Sequence, residues 1–177
     1  MSNDILLAEK QHLSNLLEAI ERCVYYLHAS SSKVHWPLTG AVLESRKMDS
    51  DFFETLAAMN ERFAKLQDVL GAAMKHAFLL QGESTDTFLR VLSGYEKIGV
   101  LDAVSAWQLC RTARNLSAHD YETEYEDIAQ HFNTLQELRP FLYQTANRFV
   151  VHCQTDLGIS PTHPDFDAQF REIVSTG

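Results

Sequence analysis

The strongest constraint on the fold is the spacing of apolar residues. They recur at steps of three and four along most of the chain and show no strand-like alternation of useful length. Leu13, Leu16, Leu17, Ile20, Val24 and Leu27 predict an amphipathic helix over about residues 4–31. Phe53, Leu56, Met59, Phe63, Leu66, Leu70, Met74 and Ala77 predict a second, capped by Asp49, Ser50 or Asp51 and closed by Gly82. A short helix is expected between Ser84 and Leu92, with Gly94 and Gly99 behind it. A fourth, capped by Asp102, would turn Ala103, Ala106, Leu109, Cys110, Ala113 and Leu116 toward the core. A fifth carries Tyr125, Ile128, Phe132, Leu135, Leu142, Ala146, Phe149 and Cys153, and Pro140 is expected to kink or split it.

The connection at residues 30–49 holds Pro37 and Gly40, is longer than helix pairs usually need, and has room for a turn of its own. Gly158, Pro161 and Pro164 end the bundle and leave room for one last turn from Asp165. The expected architecture is all-α, an up-and-down bundle of four to five helices over residues 1–155 with a tail at 156–177.

A chain of 177 residues with only seven glycines and four prolines suits a single core and argues against disorder. No stretch is apolar enough to span a membrane, and MSNDILLAEKQHL lacks the basic start and apolar run of a secretion signal. Cys23, Cys110 and Cys153 lie far apart without CxxC spacing, which suits reduced thiols. The expected compartment is therefore the cytoplasm. His12, His28, His35, His76, His131, His152 and His163 show no HExxH or paired spacing, so neither a metal nor another cofactor is expected. A net charge of -9 repels polyanions at long range, so any contact with RNA must be local and made by a few arginines.

One stretch departs from the apolar stripes. RTARNLSAHDYE, residues 111–122, places Arg111, Arg114, Asn115, His119 and Tyr121 at the end of the fourth helix. At 100° per residue Arg111, Arg114 and Asn115 point away from the Ala106, Cys110 and Ala113 stripe, with Trp107 beside them. On a straight helix His119 would lie about 140° around from Arg114, so either the chain bends within SAHDY or a second subunit supplies the partner. The residue types suit phosphoryl transfer. Arginine matches two phosphate oxygens with a planar, permanently charged fork, and histidine titrates near neutrality. In metal-independent RNA cleavage, a base takes the ribose 2′-hydroxyl proton while positive charge stabilises the developing oxyanion.

Arginine followed by histidine within this spacing is weak as a signal: nine arginines and eight histidines give about one chance match, and Arg22 to His28 is one. The fuller pattern, RNLSAHDY with Asn115 behind Arg114 and Tyr121 two residues past His119, occurs once. This octapeptide on the fourth helix of a small all-α domain, with Trp107 seven residues upstream of Arg114, resembles the HEPN superfamily. It is most similar to the RNxxxHxY branch, which pairs with minimal nucleotidyltransferases in prokaryotic toxin–antitoxin modules. The resemblance spans about residues 4–155 in helix order and is specific only in the octapeptide.

What it implies is a homodimer with a HEPN-like helix arrangement, in which two facing motifs form one metal-independent endoribonuclease site. Arg114 would bind and polarise the scissile phosphate, His119 would serve in proton transfer or orient the 2′-hydroxyl, and Asn115 would support them. Tyr121 would be the residue that a nucleotidyltransferase antitoxin adenylylates. Arg111 could add a phosphate contact, although an exposed helical arginine is usually only solvated. An alternative within the resemblance is a catalytically weak partner or substrate-binding subunit of that nucleotidyltransferase. The plain alternative for Arg114 and His119 is a polar helix end, with arginine near the helix dipole and histidine on the last carbonyls. Trp107 is expected to pack, and the acidic run at residues 121–127 to favour the start of the fifth helix.

Overall fold

A computed structural model describes residues 3–116 and 124–176. Among them the chain is all helical, in the order α1 (Asn3–Ser31), α2 (Gly40–Ser45), α3 (Ser50–Leu80), α4 (Phe88–Lys97), α5 (Val104–Leu116), α6 (Tyr125–Asp156) and α7 (Asp167–Thr176). The apolar stripes read from α1, α3 and α6 meet in one core that includes Leu17, Phe63, Leu70, Leu142 and Phe149. α1 packs along α3, and α6 touches α1, α2, α3, α5 and α7.

The helix count exceeds the expected four to five because both optional turns are complete helices. In the 30–49 connection Thr39 caps α2 by accepting from the Val42 amide at 3.2 Å. The segment is then pinned to α6. The Leu38 amide donates to Asn133 Oδ1 at 2.7 Å, and Asn133 Nδ2 donates to the Leu38 carbonyl at 2.9 Å. In the tail, α7 sinks Phe170, Ile173 and Val174 into the same core.

Three boundaries differ from the sequence expectation. The short helix starts later, at Phe88, because Thr87 takes the cap position and accepts from the Arg90 amide at 3.2 Å, and it runs through Gly94 to Lys97, so that Gly94 lies inside it and not behind it. Asp102 does not cap α5: it pairs with Arg148 on α6, and Glu96 Oε2 accepts from the Val104 amide instead. α6 runs through Pro140 as one helix of 32 residues and is not split. Buried Leu135, Leu142, Tyr143 and Ala146 flank the proline, and this burial outweighs the roughly 3 kcal/mol that an interior proline costs. Among the three caps considered for α3, Asp49 serves, accepting from the Phe52 amide at 3.1 Å. The neighbouring Arg46 guanidinium holds its carboxyl below the usual range. Gly82 closes α3 with φ of 79°, a left-handed turn that a side chain would strain.

Sequence patterning gives no warning of Glu21, which lies fully buried on α1 with neither carboxylate oxygen hydrogen-bonded among the described residues. Burial, and then Asp167, push its pKa up to about 7, with Arg171 opposing and Glu18 adding to the rise. The native state therefore holds a proton that the unfolded chain releases near pH 4.5. The stability from that proton is full below pH 4.5 and is lost as the pH rises through about 7. Glu21→Gln removes the loss, so urea unfolding at pH 8 should show a gain on the order of 3 kcal/mol over wild type, shrinking toward pH 5. A variant no more stable than wild type at pH 8 would show that Glu21 is already neutralised by another route.

Candidate functional site

α5 turns a different face to the core than its apolar residues predict. Trp107, Cys110 and Ala113 are buried, while Leu109 and Leu116 are 53% and 59% exposed. Trp107 and Arg114 are seven residues apart and lie within about 20° of each other around the helix. Arg114 thus sits at the rim of the buried face and does not point away from it, which corrects the sequence expectation. The reason is Trp107: its large ring occupies the core, as expected of a packing residue, and rotates the buried face toward Arg114.

The opposing surface is a stripe on α3. Ala64, Gln67, Asp68 and Gly71 follow each other at steps of three, one and three, so they line one side of that helix. Arg114 Nη1 donates to the Ala64 carbonyl at 2.8 Å and to Asp68 Oδ1 at 2.6 Å, with only 16% of the arginine side chain exposed. Gln67 Nε2 donates to the Trp107 carbonyl at 2.9 Å inside the interface. Gly71 lets α4 and α5 approach: a Cβ there would come within 3.2 Å of the Phe88 ring and 3.3 Å of the Trp107 ring. Those two rings stand 6.0 Å apart.

All of these residues but Ala64, together with Arg111, line a cleft of about 200 Å³. The fold therefore brings Arg111 and Arg114 to one concavity. Asn115 is exposed and is not among the lining residues. His119 and Tyr121, and the bend anticipated within SAHDY, lie outside the described residues. The acidic run leaves Glu126 and Asp127 in the first turn of α6, where Glu126 Oε2 accepts from the Gly40 amide at 2.9 Å. Its favourable place at a helix start thus coincides with a contact to α2.

The cleft offers two guanidinium groups, one carboxylate, an amide and two aromatic rings, a set suited to an anion attached to a planar group. It holds no thiol nucleophile. Burial pushes the Cys110 thiol up to about 12, which leaves it a packing residue. Among the described residues no three His, Cys, Asp or Glu side chains are placed to share a metal ion. No helix there is long and apolar enough to cross a membrane.

Sequence reasoning missed Gln67, Asp68 and Phe88. The available signal was Gly71: a glycine inside a long apolar helical stripe marks a place where something packs closely. It gives no hint of which helix approaches, and so could not couple Asp68 to Arg114. Comparison with known family models, characterised proteins and solved structures finds no match to this chain.

Proposed function

We propose that the protein is a HEPN-type, metal-independent endoribonuclease toxin, acting as a homodimer in the cytoplasm and restrained by a minimal nucleotidyltransferase antitoxin. The observation that carries this reading is Arg114, held over a cleft by Asp68 and the Ala64 carbonyl with Arg111 on the same wall. A guanidinium fixed by its neighbours is oriented before substrate arrives, so less conformational freedom is lost when a phosphate binds. In this reading Arg114 polarises the scissile phosphate, Arg111 adds charge, and Asn115 supports the motif. His119 accepts the 2′-hydroxyl proton, that oxygen attacks phosphorus, and the 5′-oxygen leaves as the P–O bond breaks, taking a proton from water to become a 5′-hydroxyl. Tyr121 is the residue that adenylylation would block.

The outward face of α5, on the side of the helix away from Arg114, offers a subunit contact. Ser105, Leu109, Thr112 and Leu116 form an exposed stripe opposite Trp107, so the motif helix carries uncovered apolar surface on its solvent side.

A second reading, a catalytically weak partner subunit of the nucleotidyltransferase, is favoured by one contact: Arg114 is already paired with the Asp68 carboxylate at 2.6 Å. The test is RNA cleavage by purified protein in EDTA, comparing wild type with Arg114→Ala and His119→Ala. Cleavage lost in both supports the nuclease, cleavage surviving in both overturns the site assignment, and a wild type without cleavage supports the partner subunit.

A further inference from the structure

On the other flank of α3, Arg22, Cys23, Tyr26, Glu61, Arg62 and Lys65 line a groove of about 240 Å³ between α1 and α3. Three cations share it with one lining carboxylate, in a chain whose net charge is -9. Their charges are not equally matched. Arg22 pairs with Glu18 at 3.1 Å, and His163 shares that carboxylate at 3.0 Å. Among the described residues Arg62 donates to neutral oxygens, the Tyr26 carbonyl at 3.1 Å and Ser30 Oγ. Among the described residues neither Arg62 nor Lys65 forms an ion pair.

The groove is also aromatic. Tyr26 is 43% exposed, with the Arg62 guanidinium 5.4 Å from its ring centre. Tyr25 lies against it at 5.2 Å, and Phe166 packs on Tyr25 at 5.5 Å. Glu61 and Lys65 of this groove and Asp68 of the Arg111 and Arg114 cleft lie on one exposed ridge of α3. That ridge is one helix wide, about 10 Å.

We propose that a single RNA strand reaching Arg114 crosses α3 and continues into the α1–α3 groove, where Arg22, Arg62 and Lys65 take its phosphates and Tyr26 stacks a base. This rests on the RNA reading of the cleft and extends it to the path of the strand. Spaced cations around an exposed ring suit a polymer that alternates phosphates with planar bases, whereas an acidic peptide would use the charges and leave the ring idle.

The experiment measures anisotropy of a labelled 2′-O-methyl decauridylate, which the 2′-hydroxyl mechanism cannot cleave, as salt is varied in EDTA. Arg22→Gln with Lys65→Gln is expected to weaken binding about tenfold and to flatten the log-log salt dependence by about 1.4, two phosphate contacts at 0.7 each. Tyr26→Ala is expected to weaken binding about 5- to 100-fold with the salt slope kept. Unchanged affinity and slope in the double variant overturn the proposal, as does equally strong competition by polyglutamate, which would assign the groove to an acidic protein partner. Wild type that binds the oligomer through the groove yet cleaves no RNA removes the nuclease reading alone. Wild type that cleaves RNA while the double variant binds normally removes the groove alone.

Discussion

His119→Ala is expected to lower EDTA-resistant RNA cleavage by about 10²- to 10⁴-fold, the range for losing a general acid–base group. Arg114→Ala should cost about 10²- to 10³-fold, the scale for one donor to a developing oxyanion. The two losses should fall well short of adding when combined, because groups that act on one transition state work as a unit. Asp68 separates catalysis from mere positioning. Asp68→Asn keeps an acceptor within reach of Arg114 and removes the opposing charge, so substrate affinity should rise while the held geometry survives. Arg114→Lys should rescue little, since an ammonium cannot span both the Ala64 carbonyl and Asp68 while presenting a flat fork to phosphate. If Arg114 were only a structural tie between α5 and α3, Asp68→Asn would leave RNA affinity unchanged.

Leu109→Glu with Leu116→Glu is expected to convert the protein to a monomer in sedimentation at micromolar concentration. The two leucines are seven residues apart, half or more exposed, and on the side of α5 away from Trp107. The burial they could gain is worth roughly 1.5–3 kcal/mol for each side chain per subunit, and two buried carboxylates in each subunit would reverse it. Because both positions face outward, the helix itself should be retained, and circular dichroism should be unchanged. A double variant that stays dimeric would move the subunit contact elsewhere and leave the outward stripe unexplained.

The fold was largely legible because helix period and burial agree in α1, α3 and α6, where Leu17, Phe63 and Leu142 fall on the stripes and in the core. α5 shows where the pattern fails. Alanine and leucine occur on several of its sides, so periodicity alone could choose either the Leu109 and Leu116 side or the Trp107 side. Packing against Gly71 and Phe88 decided between them. That choice also moved Arg114 from an outward residue to a cleft rim. The partners of the site, Gln67 and Asp68, sit more than forty residues before Arg111 and Arg114, and no local pattern joins them. Likewise Glu21 is one position from apolar Ile20 on a helix read as amphipathic, and α7, from a tail in which one last turn is expected, packs on that helix and brings Asp167 and Arg171 to bear on Glu21.

The most direct measurement is the chemistry of the ends that purified wild-type protein leaves on RNA in EDTA. Attack by the 2′-hydroxyl with Arg114 on the phosphate leaves 2′,3′-cyclic phosphate and 5′-hydroxyl termini, formed without metal and lost in His119→Ala. Cleavage that requires a divalent ion and leaves 5′-phosphate ends, or that persists in His119→Ala, would contradict the account.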